Sequence, residues 1–223
     1  MTNLIFDYDG TLHDSIKIYA PAFRLAYAYL ASLSLAGNKE WTDHEISRWL
    51  GFSSKDMWNA FMPDLPQSMK DECSGLIGDA MLRFVHDGKA QLYPHALETL
   101  QQLITDGYTL IFLSNCKRNY MLAHIEQFHL EHYFSAFYCT EDFAFQAKYE
   151  IFNTINRDFS GEFIIIGDRF QDMEIAEKHG LKSIGCSYGY GEKQELLYAS
   201  ATASSVEQIV PSLKLISKLH YSM

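Results

Sequence analysis

The sequence predicts an α/β protein built on a doubly wound parallel sheet, with an all-helical block inserted after the first strand. Three observations predict this. Leu4–Phe6, Tyr108–Leu113 and Phe163–Ile166 are short continuous apolar runs, the pattern of strands buried on both faces rather than one. Helical periodicity separates the later runs, and strands alternating with such helices form right-handed crossover units around a parallel sheet. Between residues 15 and 88 nothing reads as a strand. The expected division is therefore a core of residues 1–14 and 89–223 and a helical insertion of residues 15–88.

The elements follow in order. After the first strand, Ile16, Tyr19, Phe23, Ala26, Leu30 and Leu33 recur at helical spacing from about Ser15, with Pro21 as a kink point and Gly37-Asn38 as the close. Thr42-Asp43-His44-Glu45 has the form of a capping box and opens a short helix to about Leu50. Ser53 to Asp56 repeats the signal for a helix ending before Pro63, and another runs from about Ser68 to His86. Pro94 opens a helix that Asp106-Gly107 stops. A strand over 108–113, a helix to about His129, a short strand at Phe137–Cys139 and a helix from Lys148 to Arg157 come next. The strand Phe163–Ile166, a helix over 171–179 ended by Gly180, strands at 182–186 and 202–206 and a closing helix at 207–219 complete the chain.

Composition narrows the functions available. The 223 residues are 48% hydrophobic and 21% charged, the balance of an ordinary globular protein. A net charge of −10 opposes general binding to nucleic acid, whose phosphates it repels. It does not oppose a small anionic substrate, because one bound cation inverts the local field. Cys73, Cys116, Cys139 and Cys186 lack the spacing of a zinc site or redox dithiol. No secretory leader and no apolar run of ~20 residues is seen. The expectation is a cytoplasmic protein without membrane partners, a monomer or homodimer.

The chemistry is concentrated where strands end. The first strand runs into Asp7-Tyr8-Asp9-Gly10-Thr11, two carboxylates one residue apart followed by a glycine and a hydroxyl. Carboxylates so close need a cation or a shared proton, and open parallel sheets bind ligands at the carboxyl ends of their strands. A second strand ends in Ser114-Asn115, and a third in Gly167-Asp168, with Asp172 four residues on. Lys148 opens the helix before that third strand. If these strands are neighbours, the groups meet on one edge of the sheet. Other readings stay open: Ser114 and Asn115 as turn residues, Asp172 as a first-turn helix acid, Lys148 as a solvated helix lysine.

The set resembles the haloacid dehalogenase superfamily, whose four motifs occur here in order. Asp7-Tyr8-Asp9-Gly10-Thr11 matches the first, Ser114 the second, Lys148 the third, and Gly167-Asp168-Arg169-Phe170-Gln171-Asp172 the fourth. The insertion lies where the phosphoglycolate phosphatase and β-phosphoglucomutase subgroup carries a helical cap on a Rossmann-like core. The third motif departs from the family's usual Lys-Pro, with Tyr149 in place of the proline and Lys117 as a weaker substitute for the lysine.

The resemblance implies a Mg2+-dependent phosphatase acting on a small phosphorylated metabolite. Asp7 would be the nucleophile that forms an aspartyl-phosphate. Asp9 would be the general acid and then base, its proton retained because the charged Asp7 beside it raises its pKa. Thr11, Ser114, Asn115 and Lys148 would hold phosphoryl oxygens. Asp7, Asp9 (through its carbonyl) and Asp168 would be the metal ligands, with Asp172 orienting a bound water or Lys148. Lys55, in the insertion, is the candidate for substrate selection. A phosphosugar mutase shares these first steps, and a catalytically silent binding or regulatory protein could keep the fold.

Overall fold

The computed structural model describes residues 1–218. Six strands form one sheet: β1 (Thr2–Phe6), β2 (Thr109–Ser114), β3 (Ala136–Cys139), β4 (Glu162–Gly167), β5 (Lys182–Cys186) and β6 (Ala201–Ala203). Their order is β3-β2-β1-β4-β5-β6, and every pairing is parallel. The winding direction reverses at β1, so the crevice of a doubly wound sheet opens beyond its end. In register, Phe6 lies opposite Phe112 on one side and Ile166 on the other. The chains leaving β1, β2 and β4 therefore emerge side by side.

Nine α-helices accompany the strands among the described residues: α1 (Ile16–Ser32), α2 (Asp43–Ser47), α3 (Ser54–Phe61), α4 (Gln67–His86), α5 (Ala96–Thr105), α6 (Arg118–Phe128), α7 (Lys148–Asp158), α8 (Phe170–His179) and α9 (Ile209–Lys218). The period of two along buried strands sorts side chains between the faces. Ile5, Ile111, Leu113, Phe163 and Ile165 pack against Ile151, Phe152 and Ile155 of α7 and Ile175 and Ala176 of α8. Leu4, Phe6, Leu110, Phe112 and Ile166, the alternate positions, are also buried. Each such side chain stabilises the fold by about 1.5–3 kcal/mol through burial.

Boundaries differ from expectation in a few places. Helix α1 stops at Ser32, before Gly37-Asn38, because Ser34 takes a left-handed backbone (φ 58°). The Thr42 capping box forms, but its helix ends at Ser47. Pro94 lies outside α5, which starts only after His95 turns left-handed (φ 62°). The last strand ends at Ala203, and residue 219 of the expected closing helix lies outside the described residues.

The chain forms two compact units: Met1–Asp14 with the chain from Leu92 onward, and Ser15–Gln91. The second contains α1 to α4 and gathers aromatic rings around Phe61. Trp41, Trp49 and Trp58 have ring centroids 5.3, 5.5 and 5.8 Å from it, and Phe23 lies at 5.3 Å. Trp58 is buried in this unit's core, and Trp41 and Trp49 are half-buried at its edge. The four cysteines are buried free thiols. No helix among the described residues is long and apolar enough to cross a membrane.

Candidate active site

Asp7 continues β1 by one ladder bond, its N–H donating to the Ile166 carbonyl at 2.9 Å. The chain then wraps tightly, with the N–H groups of Thr11, Leu12 and His13 all donating to the Tyr8 carbonyl at 3.2, 2.9 and 3.0 Å. Gly10 makes this turn at φ 89°. A Cβ there would overlap the Asp168 carboxylate, so glycine is required for both conformation and space.

Asp168 follows directly on strand β4, and Arg169 caps α8. Asp172 Oδ2 accepts from the Arg169 N–H at 3.1 Å, and Asp168 Oδ2 accepts from the Tyr190 N–H at 2.7 Å. Glu195 Oε2 accepts from Arg169 Nε at 3.0 Å and from the Phe170 N–H at 2.9 Å, tying the α8 start to the segment after β5.

Lys148 is the first residue of α7 and is buried. Its Nζ donates to Asp7 Oδ1 at 2.5 Å and to Asp172 Oδ1 at 2.7 Å. Tyr149, in place of the family's proline, bonds through its carbonyl to His179 Nε2 at 2.8 Å and leaves the lysine in the site. Lys117, by contrast, is exposed at the start of α6.

Asp7, Asp168 and Asp172 offer ligand oxygens that all lie within 4.8 Å of one another. One ammonium faces these three buried carboxylates, and the excess negative charge shows in the proton affinities of Asp7 and Asp168. Burial first, then the charge of Asp172, raises Asp7 well above the usual carboxylate range despite Lys148. The same two causes push Asp168 up to about 7. Burial disfavours the Lys148 ammonium, but Asp172 and Asp7 more than offset this and its pKa lies above the ordinary lysine value. An all-oxygen set with uncompensated negative charge fits a hard divalent cation. All three carboxylates also accept protein hydrogen bonds, Asp172 from Lys148 and the Arg169 N–H, Asp7 from Lys148 and Asp168 from the Tyr190 N–H.

Asp9 faces elsewhere. Its Oδ1 accepts from Tyr120 Oη at 2.9 Å and from His13 Nδ1 at 2.8 Å. Burial pushes its pKa up, but the hydrogen bond and charge of His13, then His124 and Tyr120, outweigh burial and hold it below the ordinary value. This corrects the expectation that the Asp7 charge raises it: the tight turn at Tyr8 aims the two carboxylates at different partners. Thr11 is fully buried with its Oγ1 3.4 Å from both Asp7 Oδ2 and Asp168 Oδ1, so the hydroxyl faces the carboxylates. Ser114 is buried at the end of β2 and Asn115 is half-buried beside it. Lys55 is exposed on the first turn of α3, in the helical unit.

Sequence reading missed His13, Tyr120, His124 and Tyr190. The spacing of Asp9 to His13 and of Tyr120 to His124, four residues in each case, was the available signal. It is weak without knowing that β1 and β2 are neighbours.

Residues 4–186 match the family described as haloacid dehalogenase-like hydrolase. The chain is 28% identical over 204 residues to a phosphoglycolate phosphatase of Aliivibrio fischeri, covering 86% of this chain and 87% of that one. It is 27% identical over 226 residues to a phosphoglycolate phosphatase of Agrobacterium fabrum, covering 96% and 94%. A haloacid dehalogenase-like family hydrolase from Streptococcus pneumoniae shares the fold, with a TM-score of 0.77 at 20% identity over 96% of this chain and 98% of that one. With the motif residues gathered at the ends of three adjacent strands and the family match spanning most of the sequence, the chain belongs to the haloacid dehalogenase-like hydrolases.

Proposed function

We propose that the protein is a phosphatase that cleaves the phosphate monoester of a small metabolite, with Asp7 as nucleophile and Mg2+ as cofactor. The observation that carries this reading is Lys148 Nζ hydrogen-bonded to both Asp7 and Asp172, beside Asp168, at the carboxyl edge of the sheet. Asp7 attacks phosphorus and the ester oxygen departs, leaving the phosphoryl group on the Asp7 carboxylate. Asp9 gives its proton to the departing alkoxide, then takes one from the water that hydrolyses the acyl phosphate. A bound phosphate adds negative charge near Asp9, which raises its proton affinity from the low resting value.

Lys148 screens the repulsion between nucleophile and phosphoryl oxygens. Ser114 and Asn115 receive phosphoryl oxygens, while the Thr11 hydroxyl holds Asp7 and Asp168 in register. Asp7, Asp168 and the Asp9 carbonyl would hold Mg2+, and Asp172 orients Lys148. When bound, the ion neutralises charge on nucleophile and substrate alike. Substrate selection falls to the helical insertion of residues 15–88, with Lys55 its candidate selecting residue.

The named relatives make 2-phosphoglycolate the first ester to test. Purified protein should release phosphate from it or from another small phosphate ester with Mg2+ and not with chelator, and Asp7→Asn should abolish release. Phosphate release unchanged by Asp7→Asn would overturn the reading.

A further inference from the structure

Behind Asp9 lies a buried polar cluster that the reaction as outlined does not use. His13 and His124 are both fully buried. Their ring centroids are 4.5 Å apart, and the Tyr120 ring lies 4.3 Å from that of His124, tilted by 56°, one helical turn along α6. Tyr8, between the two site acids in sequence, reaches His124 Nδ1 through its hydroxyl at 2.7 Å. The ring of Tyr8 stacks on His13 at 5.3 Å, nearly parallel. Four rings from β1's exit loop and α6 thus brace one another, and two of them bond to Asp9.

Both bonds fall on the same oxygen. Tyr120 Oη and His13 Nδ1 meet at Asp9 Oδ1 and lie 3.3 Å from each other. A carboxylate accepts only, so Tyr120 donates its hydroxyl hydrogen and His13 carries its proton on Nδ1. Oδ2 carries neither bond. Two donors on one oxygen fix the side-chain torsions and dedicate the other oxygen to proton transfer. Most buried polar groups are hydrogen-bonded, yet His13 Nε2 and His124 Nε2 find no partner among the described residues. That cost is accepted for an arrangement whose satisfied atoms converge on Asp9.

We propose that His13 and Tyr120 are positioning residues that clamp Asp9 Oδ1, so that Oδ2 is the atom that protonates the leaving alkoxide. The inference rests on the assignment of Asp9 as the acid. The clamp contributes most where the leaving group needs a proton, and little where it departs as a stabilised anion. An alkyl phosphate requires protonation; p-nitrophenyl phosphate does not.

The test is single-turnover release of alcohol or phenol from these two esters, with enzyme in excess and Mg2+ present. Tyr120→Phe keeps the ring and removes one donor. His13→Leu removes the other, and His13→Asn restores an N–H near the Nδ1 position. Tyr120→Phe and His13→Leu should slow alkyl phosphate cleavage at least about tenfold more than p-nitrophenyl phosphate cleavage, with His13→Asn recovering most of the difference. Equal slowing of both esters, or no slowing, would overturn the clamp. Asp9→Asn separates the two claims. If it too shows no leaving-group dependence, the assignment of Asp9 is wrong; if it shows one and the clamp variants do not, only the clamp is wrong. Tyr120→Phe is the least disruptive change and carries the test should the His13 variants fail to fold.

Discussion

Lys148 Nζ stands 2.5 Å from Asp7 Oδ1, joining the first turn of α7 to the exit of β1 across 141 positions of sequence. Both side chains are buried, so neither can exchange its partner for water. The same ammonium reaches Asp172 on α8. It holds together three elements that approach the sheet edge from different directions, and it keeps two acids that repel each other within one pocket.

Removing that ammonium should therefore affect stability and rate together. Lys148→Met should lower kcat about 10²–10³-fold, the effect of losing one aligned charge in a closed site. It should cost about 3 kcal/mol of folding stability at pH 8, because breaking a buried pair strands its partners. Lys148→Arg should not restore activity, since a planar fork cannot replace a compact ammonium between two carboxylates. Steady-state kinetics and urea denaturation check both effects.

The raised Asp168 pKa makes the metal-free protein pH-sensitive. A carboxyl that titrates near 4 unfolded and at about 7 folded stabilises fully below the unfolded value. That contribution is lost as the pH rises through about 7. In chelator, thermal melts should show stability falling between about pH 4 and pH 7, with Asp168→Asn flattening that slope. Mg2+ should recover the lost stability at pH 8. A slope unchanged in Asp168→Asn would mean that other groups set it.

Gly189 tests the cation site by sterics alone. Its φ is not in the left-handed region, yet a Cβ there would overlap the Asp168 side chain and the Gly10 carbonyl. Gly189→Ala should raise the Mg2+ concentration for half-maximal activity at least about tenfold, which is ~1.4 kcal/mol. A metal titration of activity, with circular dichroism to confirm folding, reads this out. An unchanged titration would place the ion away from Asp168.

In the helical unit, Phe61→Ala should cost about 2 kcal/mol or more, as a large-to-small change in an aromatic cluster does. All three tryptophans lie within 5.8 Å of that ring, centroid to centroid. Their emission should shift to the red in the folded variant. An unshifted spectrum would mean that the rings repack without admitting water.

Much of this was legible in the chain, and for a physical reason. Buried parallel strands are continuous apolar runs, so β1, β2 and β4 announced themselves, and the acids and hydroxyls at their ends stood out. Thr42 and Ser53 marked their helices because side-chain caps are local. What was not legible depends on direction. Asp7 and Asp9 are two apart in sequence, but the turn at Tyr8 sends one to Lys148 and the other to His13 and Tyr120. The burial of Lys148 was equally invisible, since only the packing of α7 against the sheet withdraws it from water.

The most direct test asks whether Asp7 carries the phosphoryl group. Asp9→Asn protein, in which hydrolysis of the acyl phosphate is slowed, is mixed with Mg2+ and a cleavable phosphate ester, quenched in acid and reduced with borohydride. Peptide mass mapping should find homoserine at position 7, the reduction product of an aspartyl-phosphate. Turnover with no reducible acyl phosphate, or with the label on a different residue, would contradict the nucleophilic role of Asp7.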